Sequence, residues 1–142
     1  MAQKITEMLA DLVVFYHKLQ CYHWYVKGPD FFLVHAKLEE CYDVVKQQLD
    51  DIAEAALMVG ISPEARLSEF LKTASITEAK NEFVTSKAIF KEILSDYQHL
   101  LESTEELKAE AEETENNLIS VKTDDLIECF NKKIWTLSQS QM

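Results

Sequence analysis

Two histidines and three carboxylates in the first half of the chain have the residue types of a metal site: His23, His35, Glu39, Asp50 and Glu54. Imidazole nitrogen together with carboxylate oxygen suits iron, manganese or zinc, and not the soft copper(I) ion. The same residue types are common on any solvated helix, so spacing has to decide. The stretch CYHWYVKGPDFFLVHAKLEE, residues 21 to 40, closes one helical pattern around His23 and Trp24 and bends at Gly28-Pro29-Asp30. It then opens a second pattern carrying His35 and Glu39.

An ideal helix advances about 100° and about 1.5 Å per residue. With His35 set at zero, Val34, Leu38, Cys41, Val45, Leu49, Ile52, Ala56 and Val59 gather near roughly 275°, the stripe expected to face the core. His35, Glu39, Asp50 and Glu54 fall between zero and about 100°, on a different face. His35 and Asp50 are separated by about 22 Å along the axis, so one chain cannot close these residues around one metal. A symmetric antiparallel pair of such helices can. His35 and Glu54 lie equally far from a point between residues 44 and 45, and so do Glu39 and Asp50. A two-fold axis at that point sets His35 against Glu54 of a second copy, and Glu39 against its Asp50. His23, reached back through the short bend, completes two imidazoles and three carboxylates.

The elements that must hold these residues are helices. Apolar positions 5, 8, 9, 12, 13, 15, 16 and 19 follow a helical period, predicting a helix from residue 5 to about 27. Asp30 is placed to cap a second helix from Phe31 to about Val59, which Gly60 closes. Ser62-Pro63-Glu64 reads as the start of a short helix ending near Ala74. Ser75 and Glu78 have capping-box spacing for a long third helix from about Ile76 past Leu107. Its tail, ESTEELKAEAEETE (102 to 115), carries seven glutamates against one lysine and reads as a solvated helix end. Thr123-Asp124-Asp125 opens a last helix through Trp135, or that helix begins several residues earlier. Four main helices and a short connector in a single domain, residues 1 to 142, predict an up-down bundle with one longer crossover.

Composition agrees. Only two glycines and two prolines occur in 142 residues, too few for the turns of a sandwich or barrel. A net charge of −11 speaks against a nucleic-acid or anionic-lipid partner. Cys21, Cys41 and Cys129 form no CxxC pair and read as reduced thiols of a cytoplasmic protein. The longest early apolar run, LVVFY at 12 to 16, is too short for a signal peptide or a membrane span. His17 and His99 lie off the face of the candidate ligands and read as surface or structural residues.

The pattern HWYVKGPxFF at 23 to 32, followed by His35, Glu39 and DDIAE at 50 to 54, resembles the Dps family, the miniferritins. The likeness extends through VGISPEARLSEFLKTASITE (59 to 78), similar to that family's connector helix, and KKIWTL (132 to 137), similar to its C-terminal signature. The resemblance implies an all-α, ferritin-like four-helix bundle with a short helix in the middle connection, assembled as a homo-dodecameric cage built from two-fold dimers. It implies a ferroxidase centre between subunits. There His23, His35 and Glu39 of one chain meet Asp50 and Glu54 of its neighbour, bind Fe²⁺ and let hydrogen peroxide oxidise it, with Fe³⁺ stored inside. Zinc or manganese would compete for the same ligands. Trp24, beside the centre, is an electron donor or radical sink, or equally a packing aromatic at a helix end. Asp124, Asp125 and Glu128 are candidates to line a pore that admits iron; for the two aspartates, a favourable contact with a helix N-terminus is the alternative.

Three departures from the family pattern stand out. Glu39 occupies a position where the family mostly has aspartate, Ala55 replaces the usual arginine, and no lysine-rich tail precedes the first helix or follows the last. With −11 charges per chain, DNA binding is not expected. A cage with a structural or DNA-protecting role, its metal site degenerate or holding zinc, is the alternative function.

Overall fold

Residues 1–142 are described by a computed structural model. The chain forms α1 (Ala2–Tyr25), a two-residue strand β1 (Val26–Lys27), α2 (Phe31–Met58), the short α3 (Leu67–Thr73), β2 (Val84–Thr85), α4 (Ser86–Glu113) and α5 (Asn117–Ser140). α1 packs along α2 and α4 along α5, giving two helical hairpins that face each other, while α3 lies against α1 in the crossover. This is the expected four-helix bundle with a short helix in its middle connection. No helix is long and apolar enough to cross a membrane.

The apolar stripes predicted from periodicity supply the core. On α2, Val34, Leu38, Cys41, Val45, Ile52, Ala55 and Ala56 are buried, while Leu49 and Val59 pack at its margin. Phe15 of α1 meets the edge of Tyr97 of α4 at 4.9 Å, and Tyr97 tilts onto Phe130 of α5 at 5.9 Å. Aromatic side chains of this size, fully buried, each contribute about 1.5–3 kcal/mol through area alone. Lys18 is buried with them and satisfied by Asp96 at 2.8 Å and Glu92 at 3.0 Å, both on α4. A buried ammonium requires such partners. Burial nevertheless holds the Asp96 carboxyl above its ordinary range against the pull of Lys18. The Tyr22 phenol is pushed up to about 12 by burial and by the same two carboxylates.

Where the chain turns, the glycine positions were informative. Gly60 adopts φ +81° and closes α2 in a Schellman pattern, Ile61 N–H donating to the Ala56 carbonyl at 2.9 Å and Gly60 N–H to Leu57 at 3.1 Å. Gly28 lies at φ +124°, open to glycine and to few other residues.

Two helix starts differ from expectation, and the last helix takes the earlier of its two expected starts. The Ser75–Glu78 spacing does not open a helix: the Ser75 and Ile76 amides donate to the buried Asp11 carboxylate, at 2.7 and 2.9 Å. Residues 74 to 85 then run without helix to β2, which pairs in parallel with β1 (Val26 with Val84, Lys27 with Thr85), and α4 starts only at Ser86. Pro63 does not begin α3, whose first residue is Leu67; Glu64 instead turns back onto the Arg66 guanidinium, which lowers its pKa. The last helix begins at Asn117, six residues ahead of Thr123, because Asn116 caps it, its side-chain oxygen accepting from Ile119 N–H at 3.2 Å.

Candidate metal centre

The bend between α1 and α2 returns the chain antiparallel to itself, so His23 in the last turn of α1 meets His35 in the second turn of α2. Two strapping contacts fix it. β1 pairs with β2, and the Asp30 carboxylate accepts the Ser86 hydroxyl at 2.6 Å. Asp30 therefore stands at the helix start as expected, but its side chain holds α4 rather than capping α2.

The two histidines bond reciprocally. His23 Nδ1–H donates to the His35 carbonyl at 2.6 Å, and His35 Nδ1–H donates to the His23 carbonyl at 2.7 Å. A carbonyl only accepts, so both Nδ1 atoms carry protons, and both Nε2 atoms keep free lone pairs when the rings are neutral. The rings stack with centroids 3.7 Å apart and planes within 12°. Phe31 stacks on the other side of His35 at 4.9 Å, and the edge of Tyr42 meets His23 at 5.4 Å. The result is a clamped pair of imidazoles with a defined tautomer, the arrangement that metal-binding histidines need from their surroundings.

Glu39 joins them. Its Oε1 lies 3.6 Å from His23 Nε2, an electrostatic contact too long for a hydrogen bond, and accepts from the Tyr42 hydroxyl at 3.4 Å. His23 is only 6% exposed, whereas the Glu39 side chain is 56% exposed, so the group opens outward from a buried base. The Tyr42 phenol is raised by partial burial and by the neighbouring Glu39 and Asp43 carboxylates. Tyr42 and Phe31 were missed in the sequence, although they stand seven residues after and four before His35, on or near its face.

Asp50 and Glu54 are exposed on α2 and do not reach the histidines within the chain. Their carboxyls lie side by side, and the hydrogen bond and charge of Asp50 raise the Glu54 pKa. No three histidine, cysteine or acidic side chains of one chain converge as a complete metal site. The structure thus brings together His23, His35 and Glu39, and leaves Asp50 and Glu54 as a separate acidic pair farther along the same helix.

The remaining candidates divide. Trp24 is 54% exposed and turns its indole toward His17, at 6.0 Å, rather than toward the His23–His35 stack. His99, read as a surface or structural residue, is structural: its Nε2 donates to the buried Asp11 across the bundle at 2.8 Å. Asp124 pairs with Lys108 of α4 at 2.7 Å, while Asp125 and Glu128 are exposed. Because α5 starts at Asn117, Asp124 and Asp125 lie beyond its first turn, and the helix-terminus reading of them fails. Ala55 is fully buried in the bundle and has no polar side-chain atom to offer the acidic pair.

Comparison with known proteins agrees with this fold. The ferritin-like domain model matches residues 2–140. The DNA protection during starvation protein of Helicobacter pylori is 38% identical over 133 residues, 94% of this chain and 92% of its own length. Protein 2 of the same description from Bacillus anthracis is 35% identical over 136 residues, covering 94% and 90%. The crystal structure of Helicobacter cinaedi CAIP superposes with a TM-score of 0.95 at 33% identity over 99% of both chains. That of a Dps protein from Vibrio cholerae, described as a member of the ferritin-like diiron-carboxylate superfamily, does so with 0.94 at 28% identity, over 99% of this chain and 88% of its own. The chain belongs to the ferritin-like family, and within it to the Dps proteins.

Proposed function

We propose that the chain is the subunit of an iron-storing ferroxidase whose centres are shared between two copies. The observation that carries this reading is the split ligand set. One end of α2 presents two Nε2 lone pairs and Glu39, and the other end presents Asp50 and Glu54. The two halves are equidistant from a point between residues 44 and 45. Antiparallel pairing about a two-fold there joins His23, His35 and Glu39 of one chain to Asp50 and Glu54 of the next, at two equivalent places.

Fe²⁺ is the substrate in this reading. The carboxylates favour Fe³⁺ over Fe²⁺ and so lower the potential, while the imidazoles hold the ion at a defined place. Two Fe²⁺ ions each give one electron to one hydrogen peroxide, whose oxygen–oxygen bond breaks to give water-level oxygen. The Fe³⁺ formed hydrolyses to ferric oxyhydroxide, releasing protons to solvent. Removing Fe²⁺ and peroxide together denies both to hydroxyl-radical chemistry. Zinc and manganese suit the same donors and would compete.

Similarity to the Dps proteins supports a homo-dodecameric cage of two-fold dimers, with the oxide collected inside and Asp124, Asp125 and Glu128 near its pores. A charge of −11 per chain opposes DNA binding at physiological salt. Stopped-flow absorbance after adding peroxide to anaerobically Fe²⁺-loaded protein tests the reading, with His35→Ala alongside. Fast oxidation in the parent and slow oxidation in the variant is the expected result; equal, slow rates in both would refute it.

A further inference from the structure

The face of α2 that carries the candidate ligands contains a second self-complementary set that the metal chemistry does not use. Asp43 and Lys46 stand on either side of the point between residues 44 and 45, and Phe32 and Leu57 stand at its two extremes, equidistant from it. On the helical wheel with His35 at zero, Asp43 and Lys46 fall at about 80° and about 20°, and Phe32 and Leu57 at about 60° and about 40°. All four share the sector of the ligands. Phe32 is 86% and Leu57 61% exposed, so both are free to be covered by a second copy. Asp43 and Lys46 are also exposed. They have the spacing of a helical ion pair yet make none, whereas Lys37 and Glu40 at the same spacing pair at 2.8 Å. Between them the surface forms an open hollow of about 520 Å³ bordered by Asp43, Lys46, Gln47, Leu49 and Asp50.

We infer that Asp43 and Lys46 are register-setting residues: across the two-fold, Asp43 of each chain pairs with the partner's Lys46, and Phe32 with the partner's Leu57. The inference rests on the two-fold arrangement proposed above and adds what fixes its register. Two reciprocal ion pairs at the axis are satisfied in one antiparallel register. A slip by one helical turn leaves Asp43 without a cation, facing Tyr42 or another Asp43 in one direction and Leu49 or Asp50 in the other. The apolar caps close the two ends of the seam. In the favoured register, the acidic pair of one chain lies at the imidazole pair of the other. Asp43 and Lys46 thereby position ligands they do not touch.

Charge reversal tests this. Asp43→Lys, Lys46→Asp and the double swap Asp43→Lys/Lys46→Asp are compared with the parent by analytical ultracentrifugation across a dilution series. Bound Co²⁺ per chain is read from its visible absorption, and helical melting by circular dichroism confirms folding. Both single variants should weaken self-association by at least about tenfold and lose Co²⁺ in proportion. The swap should return both to within about threefold. A net-charge effect predicts otherwise: on a chain of −11, Asp43→Lys would strengthen association and only Lys46→Asp would weaken it. Single variants that associate like the parent, or a swap that fails to recover, overturn the register pairing while leaving the two-fold intact. A parent that stays monomeric at every concentration overturns the two-fold arrangement itself, and the pairing with it.

Discussion

Replace His35 by alanine in one population of chains and Glu54 by glutamine in another. Along α2 the two positions are about 28 Å apart, so in an isolated chain neither change touches the other's surroundings. In the shared centre each does. A dimer of His35→Ala chains lacks an imidazole at both centres, and a dimer of Glu54→Gln chains lacks a carboxylate at both. Either population should oxidise Fe²⁺ about a hundredfold more slowly than the parent, since even residues that only orient ligands matter at up to that scale. A mixed dimer differs. One of its centres carries both lesions, but the other takes its His35 from the glutamine-bearing chain and its Glu54 from the alanine-bearing chain, and is whole. Random pairing at equal concentrations makes about half the dimers mixed, each with one intact centre of two, so about a quarter of the parent's activity returns. The assay is stopped-flow iron oxidation after the two variants are unfolded together and refolded, or co-expressed from differently tagged chains. Activity in the mixture no greater than the mean of the two variants would refute the shared centre.

Other outcomes follow from particular contacts. Because Asp50 raises the Glu54 pKa, and a metal needs both carboxylates ionised, Co²⁺ affinity should fall as pH drops. The fall should begin above the range of an ordinary carboxylate; Asp50→Asn should move the onset lower in a Co²⁺ titration. Tyr42→Phe keeps the ring edge on His23 but removes the donor to Glu39 at 3.4 Å; metal affinity should fall by about tenfold with unchanged melting. Lys18→Met strands the buried Asp96 and should cost about 3–5 kcal/mol in denaturant unfolding. Asp96 has a raised folded-state pKa, so the native state holds its proton more tightly than the unfolded chain does. The cost should therefore shrink on acidification through the carboxylate range and persist at neutral pH.

Much of the bundle was legible because helical periodicity reports which side of a helix is buried, and α2 kept its predicted stripe almost residue for residue. Gly60 was legible for a local reason, since few other residues accept its backbone angles. The crossover was not. Ser75 and Glu78 have the spacing of a helix start, but the decisive partner, Asp11, lies 64 residues earlier and captures the Ser75 amide. No local window contains that competition. The start of the last helix was open between Thr123 and a point several residues earlier, and the Asn116 cap puts it at the earlier one. At the site, the ligand faces could be read from arithmetic on one helix. The reciprocal histidine bonds could not, because each uses a backbone carbonyl and carbonyls carry no sequence identity.

The division of the ligands along α2 has a consequence for the life of the chain before assembly. A freshly made subunit owns half a centre at each of two distant places and a whole one nowhere. Under the shared-centre reading it cannot start making rust on its own. Oxidation waits for the partner, so ferric mineral begins to form only after two chains have paired. The same division means that a subunit lacking one ligand spoils one of the two centres it shares with its neighbour and leaves the other whole.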